Sequence, residues 1–282
     1  MTADELRSLL APYGIRPIRD RGQHFLLDER IVGRMADAAG IGPGSRAVEV
    51  GPGPGILTTE LLGRGADVVA VELDPKLVSL LKDRFGNEPR LRLLQGDALS
   101  FSNRDLAAAF GPGQADWSVV ANLPYAITSD ALRKFLLEEP YPTSVTIMIQ
   151  REVADRLLAP TGEMSAIAVM VRVFAEIGRV ANVPAGAFFP PPKVDSAVIH
   201  IVRKDSRILA DFFGSVAPDR FFSIVRAAFA GKRKQLKNSL RSLGLPENGL
   251  AEAFLKADIP PAARPEDLTV EEWRRLVFAL TV

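Results

Sequence analysis

From Ala47 onward the chain alternates short β-branched runs with segments of helical spacing, and no other feature restricts its fold as much. The runs are Ala47-Val48-Glu49-Val50, Val68-Val69-Ala70-Val71-Glu72, Leu91-Arg92-Leu93-Leu94, Trp117-Ser118-Val119-Val120-Ala121 and Val145-Thr146-Ile147-Met148-Ile149. Between them, residues 75–85 and 128–137 carry apolar side chains at helical intervals, opened by Asp74-Pro75 in one case and by Thr128-Ser129-Asp130 in the other. This alternation predicts an α/β fold, a parallel sheet with helices on both faces. After Arg151 a helix to about Leu158, a Pro-Thr-Gly-Glu turn and a helix over 165–174 are expected, with further strands around 176–182 and 197–202. Past Arg203-Lys204 the β pattern stops, and helices are predicted near 218–230, 232–243, 249–257 and 270–280. Two domains follow from this reading: a sheet domain over 1–204 and a small all-α C-terminal domain over 205–282.

The first run leads directly into Gly51-Pro52-Gly53-Pro54-Gly55 and then a helix from about Ile56. Glycines there let the backbone turn sharply and let a ligand approach the main chain, while the helix N-terminus offers unpaired NH groups. Glu72 ends the second run, 17 residues after Gly55, where a carboxylate can accept hydrogen bonds from both ribose hydroxyls of a nucleotide. Asp97 follows the third run in Gly96-Asp97-Ala98-Leu99, where it can recognise an adenine amino group. The bland alternatives are that Asp97 caps its own turn and that Glu72 is a solvated strand end. Ligands of open α/β sheets collect at strand C-termini, and both carboxylates fall there. A dehydrogenase is the natural competitor. Glu49, two residues before the first glycine, and the G-x-G-x-G spacing suit the Rossmann-like class I S-adenosylmethionine methyltransferase form of the fold better.

The fourth run ends in Asn122-Leu123-Pro124-Tyr125. An exocyclic amine on a base is a poor nucleophile because its lone pair is delocalised into the ring. The Asn122 side-chain oxygen and a backbone carbonyl, that of Leu123, can accept the two amino hydrogens and turn the lone pair toward a methyl donor. Pro124 stiffens the turn and has no NH to compete, and Tyr125 offers a ring on which a base can stack. The structural alternative is an Asn-Pro turn beside a core tyrosine.

Composition removes other chemistries. The chain has no cysteine, which excludes a disulfide framework, a thiol nucleophile and a zinc-thiolate cluster, and its two histidines, His24 and His200, leave little for a transition metal. No metal is expected. No apolar run reaches the length that spans a bilayer, and residues 1–10 read as a short helix and not as a targeting segment, so a cytoplasmic protein without a membrane partner is expected. The net charge is only +1, yet between Arg220 and Leu245 the chain carries Arg220, Arg226, Lys232, Arg233, Lys234, Lys237 and Arg241 with no acid. Such a run is either a solvated helix face or a phosphate-binding surface.

Asn122-Leu123-Pro124-Tyr125, taken with Gly22-Gln23-His24-Phe25-Leu26 upstream and Phe188-Phe189-Pro190-Pro191-Pro192-Lys193-Val194-Asp195-Ser196-Ala197-Val198 downstream, closely resembles the ribosomal RNA adenine N6-dimethyltransferase family. The similarity runs from Gly22 to the basic segment ending at Arg241. Its proline-rich run and Arg/Lys-rich C-terminal helix look like the members that dimethylate two adjacent adenosines near the 3′ end of small-subunit (16S) rRNA. The resemblance implies S-adenosylmethionine as cofactor, held by His24, Leu26, Gly51, Gly53, Glu72, Asp97 and Asn122, with His24 standing where the motif often has asparagine. It implies catalytic positions at Asn122, Leu123, Pro124, Tyr125 and Phe188, the last facing Tyr125 across the adenine, with Phe189 as the alternative ring. It implies RNA contacts at Lys232, Arg233, Lys234, Lys237 and Arg241, a partly assembled small subunit as partner, and a monomeric enzyme. Other readings are a ribosome-assembly factor acting mainly by binding, a large-subunit rRNA methyltransferase and a DNA adenine methyltransferase.

Overall fold

The computed structural model describes residues 1–16, 24–112, 116–231, 235–244 and 246–281. Gly22 and Gln23 of the upstream motif and Lys232, Arg233 and Lys234 of the basic run lie outside the described residues.

In chain order the elements begin with α1 (Ala3–Leu10), the two-residue strand β1 (Phe25–Leu26) and α2 (Glu29–Ala38). The alternating region follows as β2 (Arg46–Val50), α3 (Ile56–Gly63), β3 (Asp67–Glu72), α4 (Pro75–Phe85), β4 (Leu91–Gln95), α5 (Asn103–Ala108), β5 (Ser118–Asn122), α6 (Thr128–Leu137) and β6 (Ser144–Gln150). Then come α7 (Arg151–Leu158), α8 (Ala166–Phe174), β7 (Ala175–Val183), β8 (Phe188–Phe189) and β9 (Ser196–Arg203). The last elements are α9 (Ser206–Phe213), α10 (Pro218–Phe229), α11 (Leu236–Leu240), α12 (Glu247–Lys256) and α13 (Val270–Thr281).

Seven strands form one sheet in the order β4-β3-β2-β5-β6-β9-β7. β2 pairs in parallel with β3 and β5, β3 with β4, and β5 with β6, while β9 runs antiparallel to β6. Helices cover both faces, as the sequence pattern predicts. Central strands are buried on both sides: Val48, Val69, Val119 and Ile147 have no exposed surface. Removing each such side chain from water stabilises the fold by about 1.5–3 kcal/mol. Edge strand β4 has no fully buried residue: Arg92 and Gln95 are exposed and Leu91, Leu93 and Leu94 half-buried. The chain reverses order between β4 and β5 beside β2, so the C-terminal ends of β2, β3 and β5 open onto one crevice.

The expected boundary between 204 and 205 is only part of the division. One compact unit comprises Met1–Ala154 with Ile177–Arg203, and the other comprises Asp155–Glu176 with Lys204–Val282. Residues 155–176, placed by sequence with the sheet, group instead with the C-terminal helices. The reason is α8, whose Ala168, Val169, Met170, Val171, Val173 and Phe174 are all buried. A helix apolar on nearly every side needs cover all round. In the helical unit Phe174 lies 5.4 Å from Phe222 and 5.6 Å from Phe213, ring centre to ring centre, within an aromatic cluster that also holds Phe212 and Phe221.

The helix expected over 232–243 is shorter within the described residues. α11 spans Leu236–Leu240, and Arg241–Leu243 tighten into a 3-10 turn that ends at Gly244, whose φ is 71°. The loop expected between Phe188 and Ser196 begins with a strand: β8 pairs antiparallel with β1, setting Phe25 opposite Phe189 and Leu26 opposite Phe188.

Candidate active site

The crevice at the ends of β2, β3 and β5 is a cavity of about 620 Å³, lined among others by His24, Leu26, Gly51, Gly53, Glu72, Asp97, Asn122, Leu123, Pro124, Tyr125 and Phe188. That volume suits a cofactor-sized ligand. Every position expected from sequence to face the cofactor or the reacting base is therefore on its wall.

The glycine turn is built for close approach. Gly53 adopts φ 57°, and a Cβ there would sit 3.1 Å from the Phe25 ring. Gly55 caps α3 at φ 84°, where a Cβ would come within 2.7 Å of Phe85. Left-handed backbone disfavours other residues at both positions, and the tight packing rules them out further. The turn is tied to the next strand by the Gly53 amide, which donates to Glu72 Oε2 at 3.0 Å. Glu72 Oε1 accepts from the Asp74 amide at 3.0 Å. A carboxylate has about four acceptor positions, and with the Leu73 amide as a third backbone donor Glu72 keeps about one for a ligand hydroxyl. Burial pushes the Glu72 carboxyl above its ordinary value, an effect partly offset by these amide donors.

Glu49 lies behind the turn, fully buried, with the Thr58 hydroxyl donating to its Oε2 at 2.7 Å. Burial pushes its carboxyl up to about 8, against the lowering effect of Thr58 and helped by the nearby charge of Glu72. Asp97 is exposed, and its Oδ1 accepts from the Leu99 amide at 2.9 Å. It thus caps its own turn while lining the cavity.

The reacting turn leaves β5 at Asn122. The Leu123 amide donates to Met148 of the neighbouring strand at 3.2 Å, and Leu123 itself is buried. Asn122 donates through Nδ2 to the His24 backbone carbonyl at 3.5 Å, which leaves Oδ1 as its acceptor on the cavity side. Tyr125 opens a 3-10 turn, and its hydroxyl shares a 2.8 Å hydrogen bond with Ser196 Oγ. Ser196 is fully buried and lies within the proline-rich motif. It escaped the list of expected site residues, although its place in that motif was the available signal. Asp195, next to it, accepts from the Ala185 amide at 3.1 Å and pairs with Arg151 at 3.0 Å, which fastens the loop.

Phe188 lines the cavity but is 3% exposed, and it packs with Leu26, Ile31 and Val198 in the core. Phe189 carries the Arg7 guanidinium 4.5 Å from its ring centre. The ring beside Tyr125 is that of His24, 6.3 Å away with the planes inclined by 27°. Of the expected RNA contacts, Lys237 is half-buried on α11 and Arg241 is exposed in the turn after it, both in the helical unit. Among the described residues no cluster of His, Asp or Glu could hold a metal ion, and no helix is long and apolar enough to cross a membrane.

The charges on the cavity wall identify its ligand class. Glu72, Asp74 and Asp97 line it beside the protonated Glu49, and among the described residues no lysine or arginine does. A dinucleotide would bring two phosphates into this acidic wall. A nucleoside carrying a sulfonium and an ammonium group suits it better. The sheet order, the glycine turn and this acidic cavity define a Rossmann-like S-adenosylmethionine-dependent methyltransferase.

Comparison with known proteins narrows the class. The family model described as ribosomal RNA adenine dimethylase matches residues 18–281. The chain is 37% identical over 278 residues to the ribosomal RNA small subunit methyltransferase A of Dehalococcoides mccartyi, covering 98% of this chain and 93% of that one. Among solved structures it is similar to a dimethyladenosine transferase from Plasmodium falciparum, with a TM-score of 0.74, 26% identity and coverage of 90% of this chain and 96% of the other. The 23S rRNA methyltransferase ErmE follows with a TM-score of 0.69 and 28% identity, covering 92% of this chain and all of that one. The chain belongs to the ribosomal RNA adenine dimethylase family.

Proposed function

We propose that this enzyme transfers methyl groups from S-adenosylmethionine to the N6 amino groups of two adjacent adenosines near the 3′ end of small-subunit rRNA, and so takes part in small-subunit biogenesis. The observation that carries the reading is the single cavity in which the glycine turn, Glu72 and the Asn122-Leu123-Pro124-Tyr125 turn meet. The choice of the small subunit draws on relatives named for it, 37% identical over nearly the whole chain, against 28% for the large-subunit enzyme of known structure.

Bound S-adenosylmethionine supplies an electrophilic methyl group. The chain's own residues position its target. Glu72 holds the ribose and Asp97 the adenine of the cofactor, while Gly51 and Gly53 together with the backbones of His24 and Leu26 line its path. Asn122 Oδ1 and the Leu123 carbonyl accept the two N6 hydrogens, which draws the nitrogen out of conjugation and aims its lone pair. Tyr125, its hydroxyl held by Ser196, stacks on the base. The methylated nitrogen is acidic enough to release its proton to water, so the work is positioning and electrostatics.

The sheet unit carries this chemistry. The basic segment of the helical unit, from Lys232 through Lys237 to Arg241, grips rRNA phosphates. The enzyme acts as a monomer in the cytoplasm, on rRNA within a partly assembled small subunit. The test is transfer of labelled methyl to small subunits from cells lacking the modification, read as N6,N6-dimethyladenosine. Transfer only to large-subunit RNA or to duplex DNA, or none to any RNA, would overturn the reading.

A further inference from the structure

Helix α4 buries Leu77, Leu80 and Leu81, and at helical spacing the next position of that stripe is 84, where an arginine stands. A half-buried guanidinium needs acceptors, and Arg84 finds them in the glycine turn and the helix after it. Its Nη1 donates to the Pro54 carbonyl at 2.6 Å, and its Nη2 donates to Thr59 Oγ1 at 3.1 Å. Thr59 Oγ1 in turn donates to the Gly55 carbonyl at 2.7 Å. One planar fork thus secures two successive carbonyls of the turn, the first directly and the second through a hydroxyl.

The consequence lies on the other side of those peptide units. A trans peptide is planar, with its C=O and N–H pointing opposite ways. Holding the Gly55 carbonyl from behind therefore fixes the Ile56 amide at the open N-terminus of α3, and Ile56 is on the cavity wall. Holding the Pro54 carbonyl likewise fixes the Gly55 amide, which closes the turn onto the Pro52 carbonyl at 2.9 Å. The last turn of α4 supports the same backbone sterically, since Leu81 and Phe85 press against Gly55. Arg84 itself is absent from the cavity wall.

We propose that Arg84 is a positioning residue for the cofactor: from behind the glycine turn it holds the Pro54 and Gly55 peptide units in their binding arrangement before S-adenosylmethionine arrives. Glycine makes this turn the part of the site with most freedom to relax when empty. A turn already held spares the ligand the cost of ordering it. The inference concerns the cofactor alone and does not depend on which RNA is methylated.

The test uses the full-length enzyme in three forms: wild type, Arg84→Met and Arg84→Lys. Methionine keeps helix propensity and packing but has no donor, and lysine keeps the charge without the fork. Calorimetry with S-adenosylhomocysteine, well below the melting transition, should give a Kd about 5- to 50-fold higher for Arg84→Met, with Arg84→Lys in between. The KM for S-adenosylmethionine should rise in step, while kcat at saturating cofactor and the KM for RNA stay within about twofold of wild type. Amide exchange over 51–57 gives a readout without turnover: it should be faster in cofactor-free Arg84→Met and return to the wild-type rate when S-adenosylhomocysteine saturates. The proposal is overturned if Arg84→Met lowers the melting temperature but keeps wild-type affinity, if kcat falls while affinity holds, or if exchange over 51–57 is unchanged. An enzyme that binds S-adenosylhomocysteine but methylates no small-subunit rRNA would sink the proposed function and leave the calorimetric and exchange results to decide this one.

Discussion

The Gly53 amide donates to Glu72 at 3.0 Å, so the residue that lets the glycine turn approach a ligand is tied directly to the carboxylate at the end of the next strand. Glu72 therefore holds the turn in addition to the cofactor contact proposed for it. Glu72→Ala should weaken S-adenosylhomocysteine binding by about 10- to 100-fold, the worth of one charged hydrogen-bond acceptor, and lower the melting temperature as well. Glu72→Gln, which keeps one acceptor oxygen, should lose less of both. Titration calorimetry and thermal denaturation separate the two effects. Equal affinity in Glu72→Ala and wild type would remove Glu72 from the cofactor site.

Asn122 sits at the cavity without contributing to the core, so its removal should affect transfer much more than folding. Asn122→Ala is expected to lower kcat by about 100-fold or more, the typical cost of deleting one preorganised polar group at a reacting centre. Cofactor affinity and melting temperature should stay close to wild type. Single-turnover transfer assays measure the first quantity. A variant that still methylates at full rate would assign the amine-holding role to another group.

Glu49 gives the fold a pH signature. Its carboxyl is raised to about 8 by burial, so the folded protein holds a proton there that the unfolded chain releases near 4.5. The stability this group contributes is complete below pH 4.5 and declines as pH rises toward 8. Glu72, raised in the same direction, adds to the decline. Glu49→Gln should flatten it, giving a melting temperature near wild type at pH 5 and above wild type at pH 8, where the gain in unfolding free energy is on the order of a few kcal/mol. Melting curves of the cofactor-free protein across this range decide the matter, and a parallel slope in the variant would contradict it.

Replacing Lys237 and Arg241 with glutamine should weaken RNA binding and reduce the slope of log affinity against log salt by about one for each lost phosphate contact. Binding of S-adenosylhomocysteine should not change. Filter binding at several salt concentrations reads the slope. An unaltered slope would return these residues to the role of a solvated face.

Local signals made the sheet legible. Residues in β2, β3, β5 and β6 form near-continuous apolar runs, and Asp74-Pro75 and Gly86 mark both ends of α4. α9 was missed although it has ordinary signals, an Asp205 cap and a stop at Gly214. It lies just after the last strand, where the β pattern gives way to helices. Assigning 155–176 to the sheet failed for a different reason. Helix α8 reads the same whichever core buries it, and only the ring cluster of Phe174 with Phe213 and Phe222 decides where it belongs.

The sequence by itself determined the alternating fold, the glycine turn with its carboxylate, and the Asn122-Leu123-Pro124-Tyr125 turn at the end of β5. Each depends on spacing within one strand-turn-helix unit, and backbone sterics translate such spacing directly into geometry. Tertiary structure decided how segments far apart in the chain meet. β1 pairs with β8 and brings His24 to the loop that begins at Phe188, and Ser196 anchors Tyr125. Sequence cannot reveal which of several rings faces a ligand, because every aromatic near a site can equally fill the core. Contacts such as that between His24 and the Pro190 carbonyl, 166 residues apart, exist only once whole elements have packed.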